Sequence, residues 1–244
     1  MKLRSIVSVG VMALAVAAVA DYTDGKVCGW MRVDSDLAVT AVGVPWVDVG
    51  NPANNVKVAD LVKTDNLTEG DNLYVYNNGN WFFYTLNSAK AWVAGTTANS
   101  SITATAGDPS TATIARGQAL YLERSVTNQP FYVYGAVGSE ITSQTLSGAA
   151  GTKFLVASPK ASAFAVLNEK ISGATAKSRS GGDQIIVPLS GGASRTYTLV
   201  SSKWGYVGST GARVNEGDDG YLSVPLGTGF WYVKSGAGDV TITW

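Results

Sequence analysis

Tyrosines at alternate positions are the residues of this chain best placed to bind a ligand. They occur in Leu73-Tyr74-Val75-Tyr76 and in Phe131-Tyr132-Val133-Tyr134. Alternate side chains of a strand share a face, so Tyr74 pairs with Tyr76, and Tyr132 with Tyr134, on one side of a sheet. A tyrosine ring can stack on a sugar while its hydroxyl hydrogen-bonds, and it suits any surface with one wet side. The same pattern serves packing, under a loop or between two parts of the molecule. These four residues are the candidate ligand-binding set. Other chemistries are poorly supplied. The chain has no histidine, which removes Ser–His and Cys–His nucleophilic sites and histidine-bound metals. Its one cysteine, Cys28, cannot form an internal disulfide and reads as a small apolar residue of a first strand. A glycosidase needs two carboxylates flanking a sugar. Asp48, Asp60, Glu69, Asp71 and Glu123 are present, but no spacing pairs them, and Glu123-Arg124 beside Arg116 reads as a surface ion pair. Asp34-Ser35-Asp36 and Glu216-Gly217-Asp218-Asp219-Gly220 lack a full calcium-loop spacing and read as turns. No catalytic residue, metal ligand or cofactor is assigned.

The elements that would position the tyrosines are strands. Period-2 runs predict a hairpin of Leu73–Tyr76 and Trp81–Leu86 around Asn77-Asn78-Gly79-Asn80. Further strands are expected at Ala119–Leu122, Phe131–Tyr134, Phe154–Val156, Ile185–Val187, Thr196–Val200, Tyr221–Val224, Phe230–Val233 and Val240–Trp244. Val58–Val62 and Ala163–Lys170 are the only helical candidates. The runs repeat in order. Gly70-Asp71-Asn72-Leu73-Tyr74-Val75 resembles Gly182-Asp183-Gln184-Ile185-Ile186-Val187, Tyr84-Thr85-Leu86 matches Tyr197-Thr198-Leu199, and Lys90–Val93 resembles Lys203–Val207. Gly117–Leu122 is aligned with Gly217–Leu222, and Tyr132-Val133 with Tyr232-Val233. On that alignment Ile186, Pro188 and Lys234 replace Tyr74, Tyr76 and Tyr134. The first copy gains about twelve residues, placed in the Ser/Thr/Ala-rich stretch 94–113 as a mobile loop or edge hairpin. The expected fold class is all-β: two tandem antiparallel β-sandwich or barrel-like units related by internal duplication, with little helix. The units are 21–137 and 138–244, joined by a Gly/Ser/Ala-rich linker near 137–151.

Residues 1–20 read as a secretory signal. Lys2 and Arg4 precede an apolar stretch ending in Ala18-Val19-Ala20, which places cleavage before Asp21. No other segment is apolar for long enough to span a bilayer as a helix. Without the leader the chain carries 16 basic and 18 acidic residues, a balance that gives nucleic acid nothing to bind. The expected location is extracellular, periplasmic or on the cell surface.

Ala115-Arg116-Gly117-Gln118-Ala119-Leu120-Tyr121-Leu122, followed by Gln129-Pro130-Phe131-Tyr132-Val133-Tyr134-Gly135, resembles secreted bacterial β-rich proteins that carry an Ala-Arg-Gly-x-Ala-aromatic-Leu segment. The likeness extends to Val44-Pro45-Trp46 and Leu61-Val62-Lys63-Thr64 and covers mainly the first copy; the second has Glu216 in the place aligned with Arg116. The resemblance implies export and β structure only. The expected function is a secreted or cell-surface non-enzymatic protein, structural, adhesive or glycan-binding. Its partners would be a surface or extracellular glycan, or other copies of itself. A carboxylate-based glycan-active enzyme and an outer-membrane barrel, suggested by the alternation Val240, Ile242, Trp244, are the alternatives.

Overall fold

The computed structural model describes residues 21–23, 26–33, 39–43, 55–63, 67–77, 79–95, 104–115, 117–126, 131–136, 143–158, 163–178, 181–189, 193–225 and 227–244. Residues 1–20, the acidic cluster 34–36, Val44–Trp46 and Arg116 lie outside them. The first half runs β1 (Asp21–Thr23), β2 (Lys26–Val33), β3 (Val39–Gly43), β4 (Asn55–Lys57), the one-turn helix α1 (Val58–Leu61), β5 (Val62–Lys63), β6 (Asn72–Asn77), β7 (Asn80–Leu86), β8 (Trp92–Ala94), β9 (Thr105–Ala106), β10 (Thr113–Ala115), β11 (Ala119–Glu123) and β12 (Phe131–Ala136). The second half runs β13 (Ser143–Leu146), β14 (Lys153–Val156), a 3-10 turn (Asn168–Lys170), β15 (Ile171–Ser172), β16 (Gln184–Pro188), β17 (Ser194–Val200), β18 (Lys203–Val207), β19 (Arg213–Asn215), β20 (Phe230–Val233) and β21 (Val240–Thr243). The protein is all-β and its sheets are antiparallel, apart from the short parallel pairing of β7 with β9.

The main sheet of the first half has the order β3-β11-β6-β7-β8, and that of the second has β14-β20-β16-β17-β18-β19. Each inner face is apolar. In the second half Ile185, Val187, Leu199, Trp204, Phe230 and Tyr232 meet Leu146, Ile171, Val240 and Ile242 of the small sheet β13-β21-β15. This is a sandwich whose two layers bury one face each. Each fully buried Leu, Ile or Phe contributes roughly 1.5–3 kcal/mol. Trp244 closes that core, its ring 4.9 Å from Phe164. In the first half Leu73, Val75, Leu86, Trp92, Leu120 and Leu122 pack with Val56, Val58, Leu67 and Ile114.

One device recurs at the same place in both main sheets. Asp71, just before β6, accepts from the backbone N–H and hydroxyl of Ser125 (both 2.8 Å) and from the Thr68 N–H (2.9 Å). Asp183, just before β16, accepts from the N–H and hydroxyl of Ser235 (2.7 and 2.9 Å), the Thr175 N–H (3.1 Å) and the Tyr232 hydroxyl (2.7 Å). Both carboxylates are fully buried, and these donors offset the cost of removing them from water. Each ties the start of one strand to the end of its neighbour.

The shared strand order revises the alignment. Gly70–Leu86 and Gly182–Leu199 hold equivalent positions. The counterpart of Ala119–Glu123, however, is β20 and not Tyr221–Val224. Tyr221–Val224 is not a strand: it leaves a turn built on Gly217 and Gly220, both at positive φ, and only Val224 pairs, as a single bridge to Phe164. Its Tyr-Leu pair imitates a strand because four residues carry too little alternation to decide. Likewise β12 lies in the sheet β1-β2-β12-β5 while β20 lies in a main sheet, so Tyr132 does not match Tyr232. Lys234 answers to Arg124, the residue after β11, and not to Tyr134. With Trp92 and Trp204 equivalent, and Ile114 and Val224 each paired across to Val56 and Phe164, the first half is longer there by two residues, not twelve. Within 94–113, Thr105–Ala106 is a strand on the β7 edge and Asp108–Thr111 a hydrogen-bonded turn; residues 96–103 lie outside the described ones. The stretch read as a linker contributes β13, paired with the C-terminal strand. The helix expected at Ala163–Lys170 is only the 3-10 turn, since Phe164 is taken by its bridge.

Candidate functional site

The two halves meet by exchanging equivalent contacts. Gly43 N–H donates to Gly227 O and Ala157 N–H to Gly117 O, both at 2.8 Å, and isolated bridges join Val42 to Thr228 and Gln118 to Val156. Gly117 and Gly227 are counterparts, both at positive φ. Side chains at the seam face their own counterparts. A methyl built on Gly229 would lie 2.5 Å from Ala119 Cβ, and one on Gly43 would lie 2.7 Å from Ala157 Cβ. Close approach therefore requires one glycine in each facing pair. Next to them Trp231 donates its indole N–H to the Tyr121 hydroxyl at 3.0 Å.

Around this bond four rings gather, all half-buried: Tyr76, Trp81 and Tyr121 from the first half and Trp231 from the second. Tyr76 meets Trp81 and Trp231 edge-on, with centroids 5.0 and 5.1 Å away, and Trp81 lies 5.5 Å from Tyr121. Such arrangements add about 0.5–1.5 kcal/mol per pair beyond area burial. Burial raises the Tyr121 phenol above its ordinary value, while the indole N–H partly offsets this.

Beside the rings lies a cavity of about 600 Å³. Its walls include Tyr76 and Asn77 of the β6–β7 hairpin, Gln118, Gln144 of β13, and Lys153 and Phe154 of β14. The turn between β13 and β14 closes one side. It is held by Gly151 N–H to Lys234 O (2.8 Å) and Lys234 N–H to Thr152 O (3.0 Å). The Gln118 amide is engaged, donating to Tyr76 O (2.8 Å) and accepting from Ala115 N–H (3.2 Å). The Gln144 Oε1 is buried and has no partner among the described residues. An orphaned buried acceptor costs about 1–3 kcal/mol.

The four sequence-predicted tyrosines separate. Tyr76 stands at both the ring cluster and the cavity. Tyr74 is fully buried, its hydroxyl donating to Glu123 at 2.6 Å and its ring stacked on Phe83, so it offers no ring face to a ligand. Tyr132 and Tyr134 lie in β12, opposite Arg32 and Trp30 of β2; their side chains are outside the described residues. Arg124, expected in a surface ion pair, is buried. Burial lowers its guanidinium and the charge of Asp71 opposes that effect. Glu123 instead takes Tyr74 and Asn72. In the acidic turn, Asp218 accepts from Asn215 N–H at 2.7 Å and Glu216 from Asn168 N–H at 2.6 Å. Among the described residues no three Cys, Asp or Glu side chains group as a metal site would need, and no helix is long and apolar enough to cross a membrane. Sequence reasoning missed Trp81, Tyr121, Trp231 and Gln144 as site residues. Trp81 was legible, since it alternates with Phe83 on the same face as Tyr76; nothing local marks Gln144. Comparison with protein-family models, with curated proteins and with solved structures finds no match to this chain.

Proposed function

We propose that the chain is exported and acts without catalysis at the cell surface or beyond it, as an adhesive or structural protein that contacts glycan. The observation that carries this reading is the half-buried cluster Tyr76, Trp81, Tyr121 and Trp231. Rings at the centre of the core are fully buried, as Tyr197 and Tyr232 are. Rings left half-open side by side suit the apolar faces of sugars, with phenol and indole groups at hand for hydroxyls. Two of the candidate carboxylates favour binding over cleavage: Asp71 is committed to Ser125 and Thr68, and Glu123 to Tyr74 and Asn72. The test is co-sedimentation of the purified chain from Asp21 onward with insoluble cellulose, chitin and peptidoglycan, alongside fractionation of expressing cells. Retention on at least one polymer, weakened by Trp81→Ala and without release of reducing sugar, is expected, with the protein in an exported fraction. Sugar release would make it an enzyme, and retention on none of the polymers would overturn the reading.

A further inference from the structure

We infer that the seam cavity binds one neutral saccharide unit, with Gln144 as its polar anchor and Tyr76 and Phe154 bordering it; the inference rests on the glycan reading above and gives it a site. Three observations converge. The cavity, at about 600 Å³, falls within the roughly 300–1,000 Å³ of small-molecule sites. Its walls combine two half-buried rings with amide and hydroxyl side chains and include no carboxylate among the described residues, the mixture that a ring with one apolar face and a rim of hydroxyls would meet. Finally, Gln144 borders the cavity, and its buried Oε1 has no partner among the described residues. An amide is placed in either of two orientations that differ by exchanging oxygen and nitrogen. A sugar hydroxyl both donates and accepts, so it satisfies Gln144 in either orientation, which a purely anionic or purely cationic group cannot do.

The site is built before any ligand arrives. β13 is pinned to β21, with Gln144 opposite Ile242. β14 is pinned to β20, and the turn between β13 and β14 is tied to Lys234. A rigid wall saves the ordering cost that weakens flexible sites. Among the described residues Lys153 is the one charged side chain on the wall, and it is exposed, so charge can approach the rim while the anchor stays neutral.

Titration calorimetry of the mature protein with glucose, galactose, mannose, N-acetylglucosamine and, as the anionic arm, glucuronate tests this. At least one neutral sugar should bind in the millimolar range or tighter. Gln144→Leu should weaken that sugar about tenfold, the effect of one lost hydrogen bond, without lowering the urea midpoint, because it removes an orphaned acceptor. Ser147→Trp, an exposed position on the cavity wall, should block binding without touching the core, and it decides the matter if Gln144→Leu does not fold. Binding of glucuronate alone, of no sugar at all, or with unchanged affinity in a folded Gln144→Leu overturns the inference. Polysaccharide retention that survives both substitutions overturns the site while leaving the glycan reading standing.

Discussion

The two main sheets share a strand order and a buried aspartate clamp, yet their outer faces differ. Along Asn72–Val75 of β6 both faces are closed: Leu73 and Val75 point into the core, while Asn72 and Tyr74 on the other side are also buried, as is Phe83 across from Tyr74. Along β16 burial alternates. Ile185 and Val187 are inside, and Gln184, Ile186 and Pro188 are half-open, as is Thr196 opposite Ile186. The second sheet thus behaves as a two-layer sheet with one solvated side, and the first as an inner layer. The difference teaches that the framework resides in the inner face and the clamp, while the outer face is free to diverge. The asymmetric features of the molecule, the ring cluster and the cavity, lie where an aromatic outer face of one half meets the other half.

The comparison can be pressed hardest at the clamps. Asp71→Ala removes three hydrogen bonds and the buried charge that acts on Arg124, and should cost about 3–5 kcal/mol. Asp183→Ala loses four hydrogen bonds, while Lys234, the counterpart of Arg124, keeps the Leu146 and Gly238 carbonyls, and should cost less, about 2–3 kcal/mol. Equal losses in urea unfolding would show that the two clamps are energetically alike despite their surroundings. Next comes the seam. Gly229→Ala drives a methyl into Ala119 and should cost about 1–3 kcal/mol, and adding Ala119→Gly should recover most of it by exchanging the two members of the pair. A double variant no better than the single would mean that the halves are not interchangeable at this point. The smallest effect is alkaline. Burial, before any other cause, holds Tyr197, Tyr221 and Tyr232 in the second half, and Tyr84 and Tyr121 in the first, above their ordinary value of 10.0. Above that pH the unfolded chain releases protons that the native phenols retain, so stability is intact below pH 10 and falls as pH rises past it. The second half should loosen first, read as tyrosinate absorbance or amide exchange resolved by half; earlier loss in the first half would contradict the assignment.

The strands were legible because burial alternates where the sequence does. Tyr197 and Leu199 against Thr196 and Thr198 is the plainest case, and Gly79 at φ 86° makes the turn that Asn77–Asn80 announced. The likeness of the two halves was legible near Gly-Asp, where a buried carboxylate keeps its neighbours fixed, and misread later, where Tyr221-Leu222 resembles Tyr121-Leu122 more closely than Trp231-Tyr232 does. Strand equivalence follows pairing, and pairing is not local. The site was legible only in Tyr76. Its partner Trp231 comes from the other half, and Gln144 sits in a stretch whose small residues read as a linker until Leu146 is seen packed in the core.

The exchanged contacts of the seam also bear on the order in which this protein assembles. Val42 meets Thr228 and Gly43 meets Gly227, joining chain segments near opposite ends, whereas every strand pairing of the main sheets stays within its own half. Loop-closure entropy delays contacts between distant segments relative to nearer ones. This side of the seam, which closes the longest loop, therefore docks last. Until docking, Trp81 and Trp231 are left in water, an adhesive patch on a transient species that favours pairing between chains over pairing within one.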